Sequence, residues 1–234
     1  MTGVRAAAVV LAAGSGSRVG AEVNKVLLPL GGVPILARSV RTVLDVDGVH
    51  RIVLVVRPGD REAVSEALAP HLGAHDLWVV DGGEQRHDSE WQALRVLTRD
   101  IESRELDVVA IHDGARPLAS PQLWRAVIDA ADEHGGAIPV VETPRLSRAD
   151  GSLAPAGLVG VQTPQAFRAG DLLEAYRRAR EEGFVGTDTA ACLERYADVR
   201  ITGVPSTQAN LKVTFPDDLG LAEALLDPLN QPRD

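Results

Sequence analysis

Short runs of small and β-branched apolar residues alternate along this chain with stretches whose apolar positions recur every three or four residues. The first run, residues 6–13, predicts a strand and breaks at Gly14-Ser15-Gly16-Ser17. Pro34 stands where a helix can begin, with Ile35, Leu36, Val40, Val43 and Leu44 on one face and Arg38 and Arg41 on the other. Residues 52–56 read as a strand covered on both faces, as in a parallel sheet. Arg57-Pro58-Gly59-Asp60 then turns the chain, and Asp60 is placed to cap a helix carrying Ala63, Val64, Ala67 and Leu68. Residues 77–80, with Trp78, predict a third strand. The helix after it turns Trp91, Leu94 and Leu97 inward, residues 108–111 give a fourth strand, and a helix over 121–133 leads to a strand at 137–141. This alternation predicts βαβ units with right-handed crossovers, hence an α/β fold.

The rhythm breaks after residue 141. Residues 142–157 are polar with Asp150-Gly151 at their middle, which predicts a projecting β-hairpin arm that needs a second surface to lie on. Residues 158–162 return to the sheet, and a helix over about 170–181 presents Leu172, Leu173, Ala175 and Tyr176 inward. Thr187-Asp188 caps a helix through Leu193 that buries Cys192 as a small apolar residue. Residues 199–204 and 211–214 predict late strands, so Lys212 stands inside a strand, where a long cation is costly unless it reaches an anion or a cavity mouth. Pro216-Asp217-Asp218 opens a last helix, and residues 227–234 read as a polar tail.

A length of 234 residues suits one domain, 1–234. Hydrophobic residues make up 45% but aromatics only 3%, so the core must be built of Ala, Val and Leu. A formal charge of −9 disfavours a nucleic-acid partner, and the single cysteine excludes an intrachain disulfide or a Cys-rich metal site, as suits a reducing cytoplasm. No signal peptide and no stretch of about 18 apolar residues is visible, which predicts a soluble, cytosolic chain with no membrane partner.

The candidate chemistry sits where predicted strands end. After the first strand, Gly14 and Gly16 let backbone N–H groups approach phosphate oxygens, while Arg18 and Lys25 add full charge: a triphosphate-gripping loop, or simply a turn. The glycines at 14, 16 and 20 are mis-spaced for a dinucleotide fingerprint, Arg57 rather than an acid follows the second strand, and no Gly-Lys pair exists for a P-loop. Asp81-Gly82-Gly83-Glu84-Gln85-Arg86 leaves the third strand as Gly14 leaves the first, so the two loops should face one crevice, with Ser89 either in the site or only a cap. His112-Asp113-Gly114-Ala115-Arg116-Pro117 ends the fourth strand. Asp113 and Arg116 read as a metal-and-phosphate station, with Asp113 for Mg²⁺, or as an ion pair holding the loop, and His112 reads as a packed, hydrogen-bonded side chain.

Taken together, LAAGSGSRVG-x4-K, DGGEQRHDS, HDGARP, QTPQAF, GTDTAACLE and NLKVT resemble the 2-C-methyl-D-erythritol 4-phosphate cytidylyltransferases, within the sugar- and polyol-phosphate nucleotidyltransferases, over about residues 6–226. The resemblance implies a Rossmann-like, doubly wound, mostly parallel sheet with the projecting arm. It also implies CTP and a polyol phosphate as substrates, Mg²⁺ or another divalent cation, and a homodimer. It matches Arg18 and Lys25 to the pair that stabilises the transition state. Ala12, Ala13, Gly14, Gly16, Gly83, Glu84 and Ser89 match positions holding triphosphate or cytosine, and Asp113, Arg116 and Thr163 fall within the motifs. Lys212 matches the lysine that positions the acceptor phosphate, and Thr143 a threonine donated to the neighbouring subunit's site.

Three positions depart from the family pattern. Pro155 stands where the family carries an arginine toward the acceptor, Glu142-Thr143-Pro144-Arg145 replaces D-T-[IV]-K, and Leu11 replaces the proline of P-A-A-G. Arg145 and Arg148 are the nearby cations that could supply the missing charge. The first two departures leave a different acceptor, such as ribitol 5-phosphate, as the alternative, with a catalytically silent nucleotide-binding paralogue as the reading from another class.

Overall fold

The computed structural model describes residues 3–14, 24–143 and 146–230. At its centre lies β1 (Ala6–Ala12), flanked in parallel by β4 (Val49–Val56) and β6 (Val108–Asp113). Parallel β5 (Trp78–Asp81) continues the sheet beyond β4. On the other side β9 (Gln165–Arg168) pairs antiparallel with β6 and with β7 (Gly135–Glu142). β10 (Arg200–Pro205) runs parallel to β7 at the edge, and β8 (Val159–Val161) is paired antiparallel to the far end of β7. A short hairpin, β2 (Pro29–Leu30) and β3 (Val33–Pro34), forms a second sheet.

Side-chain alternation divides the core into two layers. Ala6, Ala8, Val10 and Ala12 of β1, with Leu54 and Val56 of β4, face the layer built by α1 (Ile35–Leu44), α2 (Arg61–Leu72) and α4 (Pro121–His134). Ala7, Val9, Val53 and Val55 face α3 (Arg86–Glu102), α5 (Ala169–Glu182) and α6 (Thr189–Tyr196). A smaller cluster of Leu30, Ile35, Val213, Ala222 and Leu226 seats α7 (Pro216–Asn230) on the β2–β3 hairpin.

The helical and parallel-strand expectations hold, and Asp188 caps α6 by accepting from the Ala191 N–H at 2.9 Å. Three local expectations need correction. Residues 211–214 are not a strand: the Val213 N–H donates to the Ala115 carbonyl at 2.9 Å and the Thr214 N–H to Asp218 Oδ2 at 2.7 Å, so no neighbouring strand claims them. Asp60 precedes α2 without capping it through its side chain, because its carboxylate accepts from Arg57 and Asn24. The last helix continues through residues 227–230, where a tail was expected.

The arm is a hairpin. β7 and β8 pair through residues 140–142 and 159–161, and a tighter loop closes beyond them at the Ser147–Leu153 bridge. Its turn sits at Asp150-Gly151, with Gly151 at φ 82°, and Arg148 N donates to the Ser152 carbonyl at 2.7 Å. Leu146, Leu153, Leu158, Val159 and Val161 are all exposed.

Candidate active site

A cavity of about 580 Å³ opens where β1, β4, β5 and β6 end, which is where ligands lie in open α/β sheets. Ala12, Ala13 and Gly14 form one wall, and Gly83, Glu84, Gln85, Arg86 and Ser89 the facing one. Lys25, Arg57, Asp113 and Lys212 bring charge to it. Lys25 and Lys212, near opposite ends of the chain, are its only two lysines, and both line this cavity.

Each wall is held from behind. Asn24 is buried before Lys25 and donates to the Ala12 carbonyl at 3.1 Å and to Asp60 Oδ2 at 2.9 Å, tying the lysine's turn to the end of β1. Asp60 also accepts from Arg57 at 2.9 Å. On the facing wall the Gly83 N–H donates to Ser89 Oγ at 3.2 Å, and the Gln85 N–H to Asp88 Oδ2 at 3.2 Å within a reciprocal cap of α3. The loop is tight: a Cβ on Gly83 would lie 2.2 Å from Asp88 Cβ.

Asp113 is the electrostatic centre. Its carboxylate accepts from Arg86, pairs with Lys212 Nζ at 3.0 Å and faces Arg116 Nε at 3.5 Å. Burial alone would push its pKa up, but Arg86, Lys212 and Arg116 together hold it well below the usual carboxylate range. Lys212 is brought there by the irregular 210–214 segment. Buried Asn210 donates to Gln162 Oε1 and to the Thr163 carbonyl, each at 3.0 Å, while its own carbonyl accepts from Arg116 at 2.7 Å.

Behind Asp113 lies a directional relay. The Asp113 N–H donates to Thr163 Oγ1 at 2.9 Å, so the hydroxyl donates onward to His112 Nδ1 at 3.1 Å. This assigns the imidazole proton to Nε2, which donates to the Arg116 carbonyl at 3.1 Å. Burial pulls the His112 pKa down to about 4, keeping the ring neutral near pH 7. The packed, hydrogen-bonded role expected of His112 is the one observed.

Of the residues singled out in the sequence, Ala12, Ala13, Gly14, Lys25, Gly83, Glu84, Ser89, Asp113 and Lys212 meet at this cavity. Arg116 and Thr163 support Asp113 from behind. Arg18 and Gly16 lie outside the described residues. Thr143 is elsewhere: its hydroxyl donates to the Leu158 carbonyl at 2.9 Å, and with Leu146, Leu153 and Pro155 it lines a separate hollow of about 220 Å³ on the arm.

Asp113 does not present itself as a metal ligand, because cations surround its carboxylate. Among the described residues no three His, Cys, Asp or Glu side chains are grouped to hold an ion. This donor set does not fit a protein-held Mg²⁺. Arg86, Arg57, Asn24 and Asn210 were missed as site residues in the sequence. Arg86 stands in the second glycine loop and Asn210 beside Lys212, but nothing local marks what they hold.

The family model for 2-C-methyl-D-erythritol 4-phosphate cytidylyltransferase matches residues 6–228. This chain belongs to that family. A 2-C-methyl-D-erythritol 4-phosphate cytidylyltransferase of Pelotomaculum thermopropionicum is 38% identical over 231 residues, covering 95% of this chain and 94% of the relative. One of Symbiobacterium thermophilum is 39% identical over 226 residues, covering 94% and 92%. The crystal structure of a 4-diphosphocytidyl-2C-methyl-D-erythritol synthase from Anaerococcus prevotii superposes with a TM-score of 0.78 at 26% identity, covering 96% of this chain and 99% of that one. The cytidylyltransferase resemblance read from the motifs is therefore sustained along nearly the whole chain, although Pro155 departs from the expected pattern. Among the described residues no helix is long and apolar enough to cross a membrane.

Proposed function

We propose that this protein transfers a cytidylyl group from CTP to 2-C-methyl-D-erythritol 4-phosphate, giving the CDP-linked polyol and pyrophosphate for isoprenoid precursor synthesis in the cytoplasm. The convergence of Lys25 and Lys212 on one cavity between two glycine loops carries the reading. An acceptor phosphomonoester, with a second pKa of about 6, is already mostly dianionic at pH 7 and needs no general base. Its oxygen bonds to the α-phosphorus of CTP as the bond to the bridging β-phosphate oxygen breaks, and pyrophosphate leaves with that electron pair.

The protein's work is then alignment and charge stabilisation. Lys25, with Arg18, meets the charge developing at the α-phosphate, and the two glycine loops and Ser89 hold the nucleotide. Lys212, oriented by Asp113, steers the incoming phosphate. Mg²⁺ enters as part of the nucleotide substrate rather than as an ion held by this chain. The exposed apolar side chains of the arm support a homodimer in which Thr143 and its hollow face the partner's acceptor.

The test is pyrophosphate release from Mg·CTP with a panel of phosphorylated polyols. Turnover on 2-C-methyl-D-erythritol 4-phosphate well above the rest is expected. Preference for ribitol 5-phosphate would move the acceptor, in line with Pro155, and CTP binding with no turnover would make the chain a binding protein.

A further inference from the structure

Glu90 is a carboxylate sealed in the protein interior, 1% exposed, and nothing in the cytidylyl transfer described above uses it. It projects from α3 one turn after Arg86 and collects three donors. Arg86 Nε and Thr189 Oγ1 reach Oε1 at 2.9 and 2.8 Å, and the Tyr176 hydroxyl donates to Oε2. Thr189 begins α6 and Tyr176 lies on α5, where its ring stacks on His87 at 4.5 Å between centroids. The acceptor is thus gripped by three helices of one layer, and burial raises both the Glu90 and Tyr176 pKa values.

A buried charge is a poor route to stability, since a well-packed apolar side chain of similar volume usually does as well or better. What Glu90 can do that an apolar side chain cannot is hold a guanidinium in place. Arg86 is shared between two carboxylates. Its Nε goes to Glu90 and its Nη1 to Asp113, while the other oxygen of Asp113 holds Lys212 at 3.0 Å. Arg86 itself borders the cavity. The chain of contacts runs without a gap from the α5–α6 layer to Lys212.

We propose that Glu90 is a positioning residue: by anchoring Arg86 it divides that cation between two carboxylates and leaves Asp113 free to orient Lys212. Without the Glu90 charge, Arg86 closes onto Asp113 and competes with Lys212 for it. The inference rests on the proposed cytidylyl transfer for its kinetic consequence, but not for its structural one.

The two are separated by following Lys212 directly. Lys25 and Lys212 are the only lysines, so reductive ¹³C-methylation of the full-length protein places side-chain probes at the cavity alone, apart from the N-terminal amine. In Glu90→Gln the Lys212 methyl resonance should move while that of Lys25 stays. In the pyrophosphate-release assay kcat should fall about tenfold with KM for CTP changed by less than about threefold, the signature of misalignment rather than lost binding. Arg86→Lys should lower kcat comparably, and the double variant should be far from additive, because both act through one contact. An unmoved Lys212 resonance, wild-type kcat with only a lowered Tm, or additive losses would each overturn the proposal. If Glu90→Gln does not fold, Glu90→Asp, one methylene shorter, draws the carboxylate away from Arg86 Nε and breaks the same anchor, and an unmoved Lys212 resonance there overturns it equally. Absence of wild-type turnover on every polyol phosphate counts against the proposed function, while the resonance still decides the role of Glu90.

Discussion

Acidification should destabilise this protein through His112 before most carboxylates titrate. Buried between Thr163 and the Arg116 carbonyl, the ring accepts at Nδ1, and a proton there removes that acceptor. Burial lowers its pKa from 6.5 to about 4 in the folded chain, so between these values the unfolded chain binds the proton and the native one does not. The stability tied to the neutral ring is fully present above pH 6.5 and is lost as pH falls toward 4. At about 1.4 kcal/mol per pH unit across that gap, the loss between about pH 7.5 and 5 comes to about 2 kcal/mol.

Burial of Glu90 raises its pKa and gives it the opposite slope, so the whole-protein curve mixes the two. The measurement is therefore a difference. Urea unfolding of wild type and His112→Gln, at matched pH values from 7.5 to 5, isolates the imidazole. The variant should be the less stable at pH 7.5, having lost well-formed buried hydrogen bonds, and its deficit should shrink by about 2 kcal/mol by pH 5. Two stability curves that stay parallel over this range would refute the assignment of a neutral, Nδ1-accepting His112.

Gly83→Ala should lower Tm and raise KM for CTP, because the added Cβ meets an Asp88 side chain fixed by its cap, at a cost of about 1–3 kcal/mol; scanning calorimetry and initial rates check both. Lys25→Ala should lower kcat by about 10²-fold or more, the loss expected when one aimed donor is removed. Lys212→Arg should be nearly as damaging, since a planar fork cannot replace an ammonium against Asp113, and single-turnover kinetics would show the loss in the chemical step. Replacing residues 147–153 by a short glycine linker should shift the protein toward monomer in light scattering while leaving CTP binding intact, because the cavity and the arm hollow share no lining residue.

The layered α/β architecture was legible because its signals are local: strand runs of four or more apolar residues, helical spacing over Leu36, Val40 and Val43, and glycine breaks at strand ends. Residues 211–214 misled for the same reason. Their composition is that of a strand, and only the carbonyl of Ala115 and the side chain of Asp218, brought close by folding, take their N–H groups away from any sheet.

The sequence by itself determined which residue types are available for phosphate chemistry, that glycine loops follow the strands, and that Lys25 and Lys212 are the lysines to consider. It could not determine which charge answers which. Asp113 reads equally as a metal ligand or half of an Asp–Arg pair until Arg86 and Lys212, remote from it along the chain, are seen on its two oxygens. Charge pairing depends on distance in space and on burial, neither of which is written in the order of residues. Glu90 shows this most plainly: on a helix in sequence it is one more surface acid, and only the packing of α5 and α6 over it makes it a buried anchor.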